Sequence, residues 1–252
     1  MRKHVFLKNG GCALLALLSV APAMAQGQQQ GSGPLLDEII VTAQRRAESV
    51  QDVPVAISAF SASELERRQI TETLDLINAV PNLIGANNTG LGSANQYYLR
   101  ALGNTETIAT FDPPVGTYVD DIYVSRQNAN NFSFFDVERI EVLRGPQGTL
   151  FGRNTTGGAV NVIMAKPRDT LGGFAEVGYG KYDDKSARAS IDIPLSETVL
   201  TKFSAFKVKN DGWAKNLTTG EDNNGEDTTG IRGAVRWLLS DKVTWDISSD
   251  YM

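Results

Sequence analysis

From Gly172 onward the chain alternates with a period of two. Between Ser186 and Ile193, Ala187, Ala189, Ile191 and Ile193 interleave with Ser186, Arg188, Ser190 and Asp192. Between Val243 and Tyr251, Val243, Trp245, Ile247 and Tyr251 interleave with Thr244, Asp246, Ser248 and Asp250. Successive side chains of a strand point to opposite faces, so each segment reads as a strand with one apolar and one polar face. Phe174 to Gly180, Val199 to Val208 and Gly230 to Leu238 are looser versions of the same pattern. The segments are about 8 to 10 residues long, close to the ~9–11 that a tilted strand needs to cross a bilayer. The connections PLSET and LSDK are short, whereas Asn210 to Thr229 is long, polar and rich in Asp, Asn, Gly and Thr. That asymmetry marks an outer-membrane barrel. A soluble antiparallel sheet, which would alternate too, is the competing reading.

The N-terminus points to export. Arg2, Lys3, His4 and Lys8 precede an apolar stretch from Cys12 to Val20, and Ala23-Met24-Ala25 supplies small residues for a signal peptidase. Residues 1–25 therefore read as a signal peptide, too short in its apolar core to span a bilayer. Cleavage removes basic residues from a chain whose net charge is already −5, and with them its one Cys and its one His. A mature chain without Cys or His has no disulfide framework, no common zinc site, no Ser-His-Asp triad and no Cys nucleophile. Net acidity argues against a nucleic-acid partner, because such proteins carry basic patches. An exported, non-enzymatic protein without a cofactor is favoured.

Residues 26–34 (QGQQQGSGP) form a flexible polar leader. Residues 35–46 (LLDEIIVTAQRR) contain a β-branched run, Ile39 to Thr42. It reads equally as an ordinary first strand or as a tethered peptide that adds to the edge of a partner's sheet. Val53 to Phe60 suggests a strand, and Ser61 with Glu64 has the spacing of a helix start. Leu65, Ile70, Leu74 and Ile77 suggest helical packing in one or two pieces before Pro81. Ile84 to Gln96 reads as a Gly/Asn loop, YYLRALG as a short strand, and Val115 to Val124 as a hairpin turning at Val119-Asp120-Asp121. FFDVERIEVLRGP reads as a helical turn running into a strand over Ile140 to Leu143, and Gly157 to Ile163 as a final strand. Val53 to Ala165 is thus one α+β domain.

Two tempting motifs fail on their chemistry. Gly152 and Gly157 have phosphate-loop spacing, but Gly158 and Ala159 stand where Lys and Ser or Thr are needed. Asp112, Asp120 and Asp121 lack the ligand spacing of a calcium loop and read as surface carboxylates.

Several features in order carry a resemblance: the signal peptide, DEIIVTA, the VPVAIS…FS strand-helix start, the TYVDDIYV hairpin and VERIEVLRGPQGTLFGRNTTGGAVNVI. Together they resemble a TonB-dependent outer-membrane receptor. The resemblance implies a TonB box in residues 35–46, its contacts made by Asp37, Glu38, Ile39, Ile40, Val41, Thr42 and Ala43. It implies an α+β plug domain over residues 47–166, followed over residues 172–252 by the first antiparallel strands of a large, here truncated, transmembrane β-barrel. Arg100, Glu138, Glu141 and Arg144 are the expected plug-to-barrel anchors. Asn87, Asn88, Asn95, Gln96 and Thr105 are expected in loops that meet the solute. The implied partners are the inner-membrane TonB complex, outer-membrane lipid and an extracellular solute such as a ferric siderophore. The implied location is the outer membrane, with plug and box reaching the periplasm. One departure is visible: the family often has Arg-Gly-x-Gly after the mid-plug strand, whereas Arg100 is followed by Ala101, Leu102 and Gly103. The alternative, from another class, is a plug-containing interaction protein that binds TonB without forming a pore.

Overall fold

The computed structural model describes residues 3–6, 39–88, 91–105, 108 and 110–252. Most of the signal peptide, the leader, Asp37 and Glu38 lie outside the described residues. Lys3–Phe6 forms a strand antiparallel to Gly172–Tyr179, with Lys3 opposite Tyr179.

The first domain is built on a five-stranded sheet. Its strands run, in spatial order, Ile57–Ser61, Val137–Arg144, Gly158–Met164, Val115–Val119 and Ile122–Val124. Gly158–Met164 pairs antiparallel with Val137–Arg144 and parallel with Val115–Val119. It is buried at every position, as a central strand covered on both faces must be. Gly158 sits at φ +151, and a Cβ there would lie 2.3 Å from the Leu143 carbonyl oxygen, so only glycine fits.

The Ala62–Arg68 helix starts at Ser61, whose side chain accepts a hydrogen bond from the Glu64 amide. A 3-10 helix follows at Thr73–Asn78, so the helical packing comes in two pieces. Leu65, Ile70 and Leu76 from this region join Phe60, Ile140, Val142, Val160 and Val162 in the core.

Two local expectations are corrected. The Ile84–Gln96 segment is not a loop: Leu83–Asn88 pairs antiparallel with Leu91–Leu99, which pairs in turn with Leu102–Gly103. Buried Tyr97 and Leu99 hold this small sheet to the core and override the turn-rich composition. Phe134 to Asp136 forms no helical turn; the strand already begins at Val137.

The second region is a meander of Gly172–Tyr179, Lys185–Pro194, Val199–Asn210, Glu226–Ser240 and Val243–Tyr251, each antiparallel to the next. Its alternation is resolved as expected. Asp192, Ser190, Lys202, Ser204 and Arg232 are buried, while Ile191, Phe203, Ile231, Trp245 and Ile247 are exposed. Among the described residues this sheet is open at the Val243–Tyr251 edge and closes no barrel. No described helix is long and apolar enough to cross a membrane.

Candidate functional site

The TonB-box segment is held as a docked strand. Ile40–Val41 pairs antiparallel with Glu48–Ser49, Ile40 opposite Ser49 and Val41 opposite Glu48. Alternation turns Val41 and Ala43 inward, where they pack with Val53, Tyr118, Leu143, Phe151 and Ala159. Ile40 faces out and is 44% exposed. Between the two buried residues, the Thr42 amide donates to Glu141 Oε1 at 2.8 Å and its hydroxyl donates to the same oxygen at 3.2 Å. Arg139 Nε donates to that oxygen at 2.9 Å, and Arg139 Nη2 reaches Thr42 Oγ1 at 3.2 Å. Glu141 is fully buried. A carboxylate taken out of water needs charged or polar donors, and here the docked strand supplies two of them.

The turn after the box adds a second hold. Arg45, at φ 62, places its guanidinium 4.5 Å from the Phe151 ring centroid and 2.5 Å from Asp121 Oδ1.

The expected anchors are scattered rather than gathered. Glu141 serves the box, Glu138 is half exposed and pairs with Arg139, and Arg144 donates to the Ile57 carbonyl at 3.4 Å. Arg100 is exposed in the turn after Leu99. None of the four makes a hydrogen bond or ion pair to the meander among the described residues.

The contacts that join the plug to the wall come from other residues. Lys202 Nζ lies 3.1 Å from Asp136 Oδ1 and 3.3 Å from Asp192 Oδ2, with all three side chains almost fully buried. Ser204 Oγ donates to Asp136 Oδ2 at 2.5 Å, and the rings of Phe135 and Phe206 stack at 4.6 Å. Burial pushes the Asp136 carboxyl up from the usual range, against the Ser204 hydrogen bond and the Lys202 charge. Asp136 adopts φ 74, a conformation that Asp tolerates better than most residues. The available signal was Lys202 itself, a lysine on the inward row of an alternating strand.

Asp120 corrects the surface-carboxylate reading. The hairpin turn has φ 46 at Asp120 and 68 at Asp121, the two positive values that a two-residue type I′ turn needs. It carries Asp120 Oδ2 to 2.7 Å from Arg232 Nη2 on the wall, while Asp120 Oδ1 accepts from the Met164 amide at 2.9 Å.

Among the expected solute residues, Asn95 is corrected outright, because it is fully buried. Its Nδ2 donates to Thr73 Oγ1, the Tyr97 hydroxyl and Asn131 Oδ1, within a network that ties the small sheet to the Gln127–Ala129 turn. Desolvation there also raises the Tyr97 pKa. Asn87 donates to Asn95 Oδ1 at 2.8 Å, and the Gln96 side chain donates to the Thr105 carbonyl. Asn88 lies at the end of Leu83–Asn88. Among the described residues no His, Cys, Asp and Glu gather in a group that could hold a metal ion.

With this geometry in place, comparison with known proteins is informative. Residues 49–159 match the TonB-dependent receptor plug domain model. The chain is 28% identical over 236 residues to the pesticin receptor of Yersinia pestis, covering 93% of this chain and 34% of that protein. It is 24% identical over 212 residues to the vitamin B12 transporter BtuB of Vibrio vulnificus, covering 84% of this chain and 34% of that protein. The ferric yersiniabactin uptake receptor FyuA from Yersinia pestis superposes with a TM-score of 0.72 at 25% identity, over 78% of this chain and 31% of that one. The chain therefore spans about a third of the length of the curated relatives it matches.

Proposed function

From a chain that belongs to the TonB-dependent receptors, we propose energised uptake of a scarce solute across the outer membrane, most specifically a ferric siderophore or similar iron chelate. The observation that carries this reading is the docked box. Ile40–Val41 is a two-residue strand held by a short ladder and one buried carboxylate, on a plug seated against the polar face of a wall whose other face is apolar. An outer membrane has no nucleotide supply of its own, so the work must arrive through a periplasmic handle. An extended segment that pairs by its main chain suits capture by TonB. The iron chelate is supported by the ferric yersiniabactin receptor among the relatives. The mature reading without His or Cys also favours a chelate held by polar and aromatic contacts over a bare ion.

The test replaces Ile40, because its side chain is exposed whereas Val41 belongs to the core. Proline at position 40 removes an N–H from the pairing strand; alanine keeps it. With the substitution made at the chromosomal locus, Ile40→Pro is expected to abolish uptake of radiolabelled iron chelate while surface binding persists, and Ile40→Ala to stay near wild type. Proline and alanine both silent, or proline destroying chelate binding as well, would sink this reading. Capture of TonB with neither chelate nor cobalamin uptake would favour a non-transporting interaction protein.

A further inference from the structure

We propose that the Asp120-Asp121 turn couples docking of the box to anchorage of the plug on the wall. The two neighbouring carboxylates serve opposite sides. Asp121 Oδ1 holds Arg45, at the turn of the box hairpin, at 2.5 Å. Asp120 Oδ2 holds Arg232, on the Glu226–Ser240 wall strand, at 2.7 Å.

The turn has little freedom to satisfy one side without the other. It is a two-residue hairpin connection with both residues at positive φ, a backbone state that Asp occupies only when its partners hold it there. It is also pinned behind: the Asp120 amide donates to the Val162 carbonyl at 2.9 Å, and Asp120 Oδ1 accepts from Met164 N at 2.9 Å. Displacing Arg45 frees Asp121 and lets the turn relax, which carries Asp120 away from Arg232. Arg232 is nearly buried, and it would then keep only Asp250, at 2.7 Å on the next strand, as a charged partner. A desolvated guanidinium with fewer partners loosens the contact between plug and wall. Linkage makes the coupling reciprocal: loss of the Arg232 contact must weaken docking of the box by the same factor.

The inference rests on reading Asp37 to Ala43 as the box, but its test reads only plug and wall, so it can fail while TonB capture succeeds, and the reverse. The full chain, with Cys12→Ser and the small, buried Ala43→Cys as reporter, is reconstituted in lipid and labelled with a water-soluble maleimide. Arg232→Gln and Asp120→Asn, neither of which touches the box, are each expected to speed labelling at least ~5-fold, the lower range of allosteric couplings. Arg45→Gln is expected to speed labelling, and also hydrogen exchange at the Met164 amide. Combined with Arg232→Gln, it should label no faster than the faster single variant. Arg236→Gln is the control for general loosening, because Arg236 pairs with Asp246 inside the wall and does not touch the turn. Unchanged labelling in Arg232→Gln would overturn the proposal. So would single effects that multiply in the double variant, or an equal acceleration by Arg236→Gln.

Discussion

In the plug, Gly158–Met164 is buried on both faces, and the core around it is made of Ile140, Val142, Val160 and Val162. In the wall the arrangement is reversed. Asp192, Lys202, Ser204 and Arg232 are buried, whereas Ile191, Phe203, Trp237, Trp245 and Ile247 face outward. The plug's own surface is arranged for water, since its apolar side chains pack inward. The wall's outer face is arranged for a medium as apolar as itself, and its inner face uses the plug as a polar partner. One chain thus carries two solvent preferences, and Asp136 and Asp120 sit where they meet.

The largest effect should come from separating the two regions. Residues 35–166 are expected to remain soluble and folded in water, whereas residues 26–252 aggregate, because the Val243–Tyr251 edge is unpaired and the outer apolar rows lack lipid. Sedimentation of the two chains without detergent checks this. A monomeric 26–252 chain that unfolds cooperatively would erase the contrast and favour a soluble sheet.

Next in size is the seam. Lys202→Ala leaves Asp136 and Asp192 buried without their shared cation. Breaking a buried pair in this way should cost about 3–5 kcal/mol. Denaturant unfolding of the chain in micelles would measure it, and a loss below ~1 kcal/mol, the range of exposed pairs, would mean that the seam is wet and weak.

The smallest effect lies within the plug. Ala101 has φ 66 in the turn between Leu99 and Leu102. Ala101→Gly should therefore raise plug stability by about 1 kcal/mol, the cost that a Cβ imposes in the left-handed region. No gain in melting temperature would mean that glycine's extra freedom in the unfolded chain cancels the relief.

The Ala101 site shows how far the sequence could be read. The departure from Arg-Gly-x-Gly was visible, but the positive φ that makes it costly was not. The wall was legible because alternation is local: Ala187, Ala189 and Ile191 against Arg188, Ser190 and Asp192 needs no tertiary knowledge. The Asp120-Asp121 hairpin was legible for the same reason. What stayed hidden depended on distant partners. Asn95 looked like a loop residue until Thr73, Tyr97 and Asn131 satisfied its amide. Asp120 looked like a surface carboxylate until the wall brought Arg232 to it. Glu141 was expected at the barrel, yet its partners are Thr42, 99 positions away in the chain, and Arg139 on its own strand. Residue type marked these positions as polar and costly to bury, but not which donor would meet each.

The central claim is that the wall places lipid on one face and the plug on the other. A spin label moved one residue at a time through Ala187, Arg188, Ala189, Ser190 and Ile191, with the chain in lipid, tests it most directly. The account predicts collisions with oxygen at 187, 189 and 191 and protection from both oxygen and a water-soluble nickel chelate at 188 and 190, where Arg188 is partly covered and Ser190 buried. High nickel accessibility at 187, 189 and 191 would place water on the outer face and contradict the membrane reading.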